Sequence, residues 1–159
     1  MCATGWKPDG WPCPVRVDFY LLSRDPVEAA LPRIAKAVKG AGQRLLVVSA
    51  DPAQLAALDQ ALWQQLPEDF LAHGVAGDRH AARQPLLLAD SCTAENGATC
   101  VALADGQWRD EVLGFERVFL FFDSATIDGA RGSWRMLGSR PDVERHFWKQ
   151  DGGRWVEGP

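Results

Sequence analysis

Gln43-Arg44-Leu45-Leu46-Val47-Val48-Ser49, followed by Asp51-Pro52, carries the clearest mark of this chain's architecture. Leu45 to Val48 are apolar without a break, so neither face of this segment is wet. Such a run marks a strand covered on both sides. Asp51-Pro52 then opens a helix. The Asp carboxylate can accept an unpaired N–H of the first turn, and Pro fits there because its missing N–H would have no partner. Leu55, Leu58, Leu62 and Leu66 follow at helical spacing as one apolar stripe, and Pro67 stops it.

The same pattern stands upstream. Val17-Asp18-Phe19-Tyr20-Leu21-Leu22 reads as a buried strand and Asp25-Pro26 as a second helix start. Val27, Ala30, Leu31, Ile34 and Val38 form the stripe, while Glu28, Arg33, Lys36 and Lys39 fall off it. Pro32 is expected to bend this helix, and Gly40 and Gly42 to end it. Strand, Asp-Pro, helix, given twice, predicts a mostly parallel α/β sheet with right-handed crossovers. Further strands are expected at 85–89, 99–103 and 117–122, and a helical segment around 127–137. A hairpin is expected over His146–Trp155, turning at Asp151-Gly152-Gly153. Residues 1–14 read as an irregular leader, and 15–159 as one α/β domain.

Composition narrows the function. The chain has 159 residues and a net charge of -4, so the protein as a whole is not drawn to nucleic acid. An anion site must be a local cluster of Arg and Lys. Cys2, Cys13, Cys92 and Cys100 form no C-x-x-C pair, and His73, His80 and His146 are scattered. No metal and no cofactor are therefore expected. No apolar run approaches the roughly 20 residues of a membrane helix, and the N-terminus lacks a secretory pattern. A cytoplasmic protein is expected, with no membrane partner.

The chemistry-bearing motifs of an α/β enzyme are missing from the sequence. Gly40-Ala41-Gly42 follows a helix and precedes a strand, the wrong order for a dinucleotide loop. Both strand-to-helix turns carry Asp-Pro, a carboxylate and a blocked donor where a phosphate wants N–H groups. Asp123-Ser124 lacks the G-x-S-x-G elbow and reads as a helix cap. His73 reads as a structural histidine. A doubly wound α/β enzyme with a degenerate nucleotide site is the alternative, and little in the sequence supports it.

Two clusters point instead to partner binding. Trp63 and Phe70 bracket the exit of the second helix; aromatics at a core border either pack inward or anchor an interface. Arg131, Trp134 and Arg135 share one face of a helix, where guanidiniums beside an indole suit a carboxylate next to an apolar side chain. Trp148, Lys149, Arg154 and Trp155 make a third cluster that could stack single-stranded nucleic acid, against the overall charge.

An ordered series of segments resembles the chi subunit of bacterial DNA polymerase III holoenzyme. It runs from Val17-Asp18-Phe19-Tyr20-Leu21-Leu22 through Leu58-Asp59-Gln60-Ala61-Leu62-Trp63 to Phe70-Leu71-Ala72-His73-Gly74-Val75-Ala76-Gly77. Phe115-Glu116-Arg117-Val118, Trp134-Arg135 and Trp148-Lys149-Gln150-Asp151-Gly152-Gly153-Arg154-Trp155 continue it. The resemblance implies a single Rossmann-like α/β domain without a nucleotide site. It implies a non-catalytic accessory of the clamp loader, a monomer or heterodimer that touches DNA only indirectly. Two partners are implied: the psi subunit, through the surface containing Trp63 and Phe70, and the acidic C-terminal tail of single-stranded-DNA-binding protein, through Arg131, Trp134 and Arg135. One departure is the glycine content of the third helix: Gly129, Gly132 and Gly138 each cost about 1 kcal/mol against Ala in a helix interior.

Overall fold

The structure, a computed structural model, describes residues 14–23, 25–64, 71–151 and 154–158. Among them eight strands form one sheet. They are β1 (Val15–Leu21), β2 (Leu45–Val48), β3 (His73–Val75), β4 (Leu86–Ala89), β5 (Cys100–Leu103), β6 (Arg117–Phe122), β7 (Val143–Asp151) and β8 (Arg154–Glu157). Their order is β3-β4-β2-β5-β6-β1-β7-β8. All pairings are parallel except β7 with β8, which form the C-terminal hairpin. Helices α1 (Val27–Gly40), α2 (Pro52–Gln64) and α3 (Ile127–Gly138) flank the sheet. This is the Rossmann-like α/β arrangement that the sequence predicts. The leader up to residue 13, the end of α2 at Leu66-Pro67, Phe70 and the hairpin turn at 152–153 lie outside the described residues.

The apolar runs are continuous because the sheet is covered on both sides. Leu45 and Val47 enter one packed cluster with Leu31 and Ala35 of α1 and Leu58 and Leu62 of α2. Leu46 and Val48 enter the other, with Ala130 and Leu137 of α3. Successive strand residues point to opposite faces, so α1 and α2 lie on one side of the sheet and α3 on the other.

The two Asp-Pro pairs fold differently. Asp51 caps α2 as predicted, its Oδ1 accepting the Ala53 N–H at 3.0 Å. Asp25 does not cap α1. The cap position is Pro26, which has no side-chain oxygen, and its carbonyl accepts the N–H groups of Ala29 and Ala30. The Asp25 carboxylate instead accepts Gln150 Nε2–H at 2.9 Å, tying the loop to β7. Pro32 sits inside α1, which runs on to Gly40. Gly42, at φ 76°, donates its N–H to Lys39 O, and Gln43 donates to Val38 O. These are the two bonds of a glycine-terminated helix end.

Asp18, fully buried on β1, fastens three strands. It accepts Arg16 Nε–H at 3.2 Å, Arg117 Nε–H at 2.9 Å and Trp148 Nε1–H at 2.9 Å. Beside it the Tyr20 phenol is pushed up to about 12 by burial, with the Asp18 charge adding to the effect.

Candidate functional site

Helix α3 is continuous across its glycines. Its start is held by a reciprocal pair: Asp123 Oδ1 accepts the Thr126 N–H at 3.2 Å, and Thr126 Oγ1 accepts the Asp123 N–H at 3.0 Å. The Asp123 carboxylate thus braces the turn that leads into α3; the N-cap position is Thr126, which makes no side-chain cap bond, so Asp123 does not take the helix-cap role expected from the sequence. Asp128 in the first turn and Arg135 in the last suit the helix dipole. A Cβ at Gly129 or Gly132 would meet nothing within 4 Å, so those glycines face open space. Gly138 is different, because a Cβ there would come within 2.8 Å of Arg145 Nη1.

Between α3 and the sheet lies a pocket of about 310 Å³. Ile127, Ala130, Arg131 and Trp134 line it from the helix; Phe19, Leu21, Phe122 and Phe147 line it from the strands. Register explains the floor. Phe19 pairs with Phe147 across β1 and β7, and Leu21 with Phe122 across β1 and β6, so their side chains stand side by side on one face. Trp134 meets Phe19 edge to face, with ring centroids 5.2 Å apart at 81°. Arg131 is 67% exposed, and its only ion-pair neighbour among the described residues is Asp128 at 3.9 Å. The arrangement is an apolar slot with one weakly engaged guanidinium at its edge. It can take an apolar side chain and a carboxylate together.

Of the three residues singled out on this helix, Arg131 and Trp134 come together at the pocket. Arg135 is exposed one turn on and does not line it. Phe19 and Phe147 escaped the sequence reading. The adjacent aromatics Phe147 and Trp148 carried a usable signal, since neighbours on a strand must point to opposite faces.

On the other side of the sheet, Trp63 is 52% exposed at the end of α2. Its ring lies 4.5 Å from the His73 imidazole. His73 is buried, with Nδ1 2.7 Å from Leu71 O and Nε2 2.6 Å from Asp59 Oδ1. That is the structural role read from sequence, and it places a packed ring behind Trp63. Val75 on the edge strand β3 is also exposed. Phe70 lies outside the described residues, so Trp63 alone represents this pair.

The remaining clusters have other roles. The crevice at the C-terminal ends of β1 and β6, where α/β proteins bind nucleotides, is lined by Asp25, Glu28, Asp105 and Asp123. Burial pushes the Asp105 carboxyl up, but the Arg109 hydrogen bond and the N–H groups of Ala50 and Gln107 outweigh it and hold it below the usual range. A phosphate there would face carboxylates. Among the described residues no three His, Cys, Asp or Glu side chains are grouped to hold a metal. No helix among them is long and apolar enough to cross a membrane. In the hairpin, Trp148 and Trp155 both pack on Tyr20, the first stacked at 6.2 Å and the second edge-on at 5.0 Å. Both rings are partly buried and pack against the core cluster on the α1 and α2 side of the sheet.

The family model described as DNA polymerase III chi subunit, HolC, matches residues 15–141. The match takes in Trp63, Phe70 and all of α3, and stops short of Arg145 and Phe147. No curated protein matches the chain.

Proposed function

Because this chain belongs to the DNA polymerase III chi subunit family, we propose that it bridges the psi subunit and the acidic C-terminal tail of single-stranded-DNA-binding protein. Membership makes it an accessory subunit of the replicative polymerase. In the finer reading it is non-catalytic and cytoplasmic, works as a monomer or in a heterodimer with psi, and touches DNA only through its partners.

The observation that carries this reading is the α3 pocket. A tail that ends in an aromatic residue with a free carboxylate needs an apolar slot and a guanidinium together. Phe19, Trp134 and Phe147 supply the slot and Arg131 the guanidinium, with Arg135 one turn away. In a chain of net charge -4, an acidic peptide is drawn only by such a local cationic site. Trp63 supports the second half. It is exposed, backed by His73, and set on the opposite side of the sheet from α3. Two partners can then be held at once without competing for surface.

The test is fluorescence anisotropy with a labelled acidic peptide ending in Phe. Micromolar binding is expected, weakened in an Arg131→Ala, Arg135→Ala double variant and by added salt. Unchanged affinity in that variant refutes the assignment. A pull-down with the Trp63→Ala, Phe70→Ala variant asks the same of the psi-side surface.

A further inference from the structure

Arg145 stands outside the pocket lining, yet its guanidinium carbon lies 4.3 Å from the centroid of the Trp134 ring. The same side chain donates Nη1–H to the Trp134 backbone carbonyl at 2.7 Å. One residue thus grips both the ring and the backbone of the aromatic that walls the pocket. Phe19 meets the same ring edge to face.

Strand register puts Arg145 there. Val17 pairs with Arg145 and Phe19 with Phe147, so Arg145 and Phe147 share the β7 face beneath α3. Gly138 makes the approach possible, because a Cβ at that position would meet Nη1 at 2.8 Å and Cζ at 3.0 Å. The carbonyl it reaches belongs to the C-terminal half of α3, toward the negative end of the helix dipole. Lysine cannot replace this contact, since an ammonium lacks the planar fork that stacks on a ring while donating sideways.

We propose that Arg145 is the positioning residue of the α3 pocket, holding the Trp134 indole in the orientation that forms the pocket wall. The proposal rests on the reading of that pocket as a site for an acidic, Phe-terminated peptide. An indole already held loses less freedom when the peptide arrives, which favours affinity.

The experiment uses the full chain labelled with 5-fluorotryptophan, the Trp134 resonance being assigned by its loss in Trp134→Phe. Arg145→Met should move that resonance in the peptide-free protein and weaken the labelled peptide about three- to tenfold. Arg145→Lys should do the same despite keeping the charge. If Arg145 merely attracted an acidic ligand, Arg145→Lys would bind like wild type, and that result overturns the proposal. An unmoved Trp134 resonance in folded Arg145→Met also overturns it. If Arg145→Met does not fold, Gly138→Ala takes its place. It crowds the guanidinium while raising helix propensity, so a moved resonance with an undiminished melting temperature supports the proposal and an unmoved one refutes it. Failure of the wild-type protein to bind the peptide would overturn the pocket reading and, with it, this proposal; the fluorine resonances tell that failure apart from a loose Trp134.

Discussion

Asp18→Asn should destabilise the protein more than a change of one atom suggests. The carboxylate is fully buried, yet it accepts hydrogen bonds from Arg16, Arg117 and Trp148. An amide of the same shape loses the charge and turns an NH₂ group toward two guanidiniums. Breaking a buried charge pair costs about 3–5 kcal/mol, and hydrogen bonds to charged groups contribute about 1.5–3 kcal/mol each. The Arg16 and Arg117 side chains are 38% and 36% exposed, so water recovers part of their solvation. That discount places the loss near the lower end, about 3 kcal/mol. For a chain of this size it corresponds to a fall of about 6–12 °C in Tm. Urea unfolding followed by circular dichroism gives the value, and an unchanged slope shows that the unfolded state is not altered. A loss below about 1 kcal/mol would mean that water already solvates the pair, and the account of Asp18 as the fastener of β1, β6 and β7 would be wrong.

Other perturbations test the remaining features. Asp128→Asn should tighten the acidic peptide by about twofold at low salt, because Asp128 and Arg131 stand 3.9 Å apart, both exposed and well screened; anisotropy showing weaker binding would contradict the role of Arg131. Burial pulls the His146 pKa down, but hydrogen bonds to Glu157 and Glu144 outweigh it and leave it raised. Its stabilisation is then fully present below about pH 6.5, the unfolded value, and fades as pH rises through the folded pKa. His146→Asn should therefore cost more at pH 6 than at pH 8.5 in denaturant unfolding, and the reverse order would refute the assignment. Trp63→Ala should lower stability by only about 1 kcal/mol, since half of the side chain is already wet, while abolishing psi capture in a pull-down. A large stability loss would make Trp63 a core residue instead.

Elements of the fold could be read locally because each rests on short-range chemistry. Leu45 to Val48 read as a strand covered on both faces because the run is short and set between a glycine-ended helix and Asp-Pro, and the helix stripes follow from a period of 3.6 residues. Gly42 could end α1 because it alone there accepts φ 76°. The Asp-Pro pairs mark the limit of this reasoning. The same dipeptide starts both helices, yet Asp51 caps and Asp25 binds Gln150, a residue 125 positions away. No local rule contains that partner.

The candidate site divides in the same way. Residue spacing alone puts Arg131, Trp134 and Arg135 on one helix face and carboxylates in the strand-to-helix turns, and the order of the motifs carries the family resemblance. Packing of the helices on the sheet brings Arg131 and Trp134 to Phe19 and Phe147 around one pocket and leaves Arg135 outside. It also sets Trp63 half in solvent on the far side of the sheet, and Arg145 over the Trp134 ring. Side-chain period fixes which residues of one element share a face. Which faces meet depends on strand order and register, and these are set by the packing of the whole sheet.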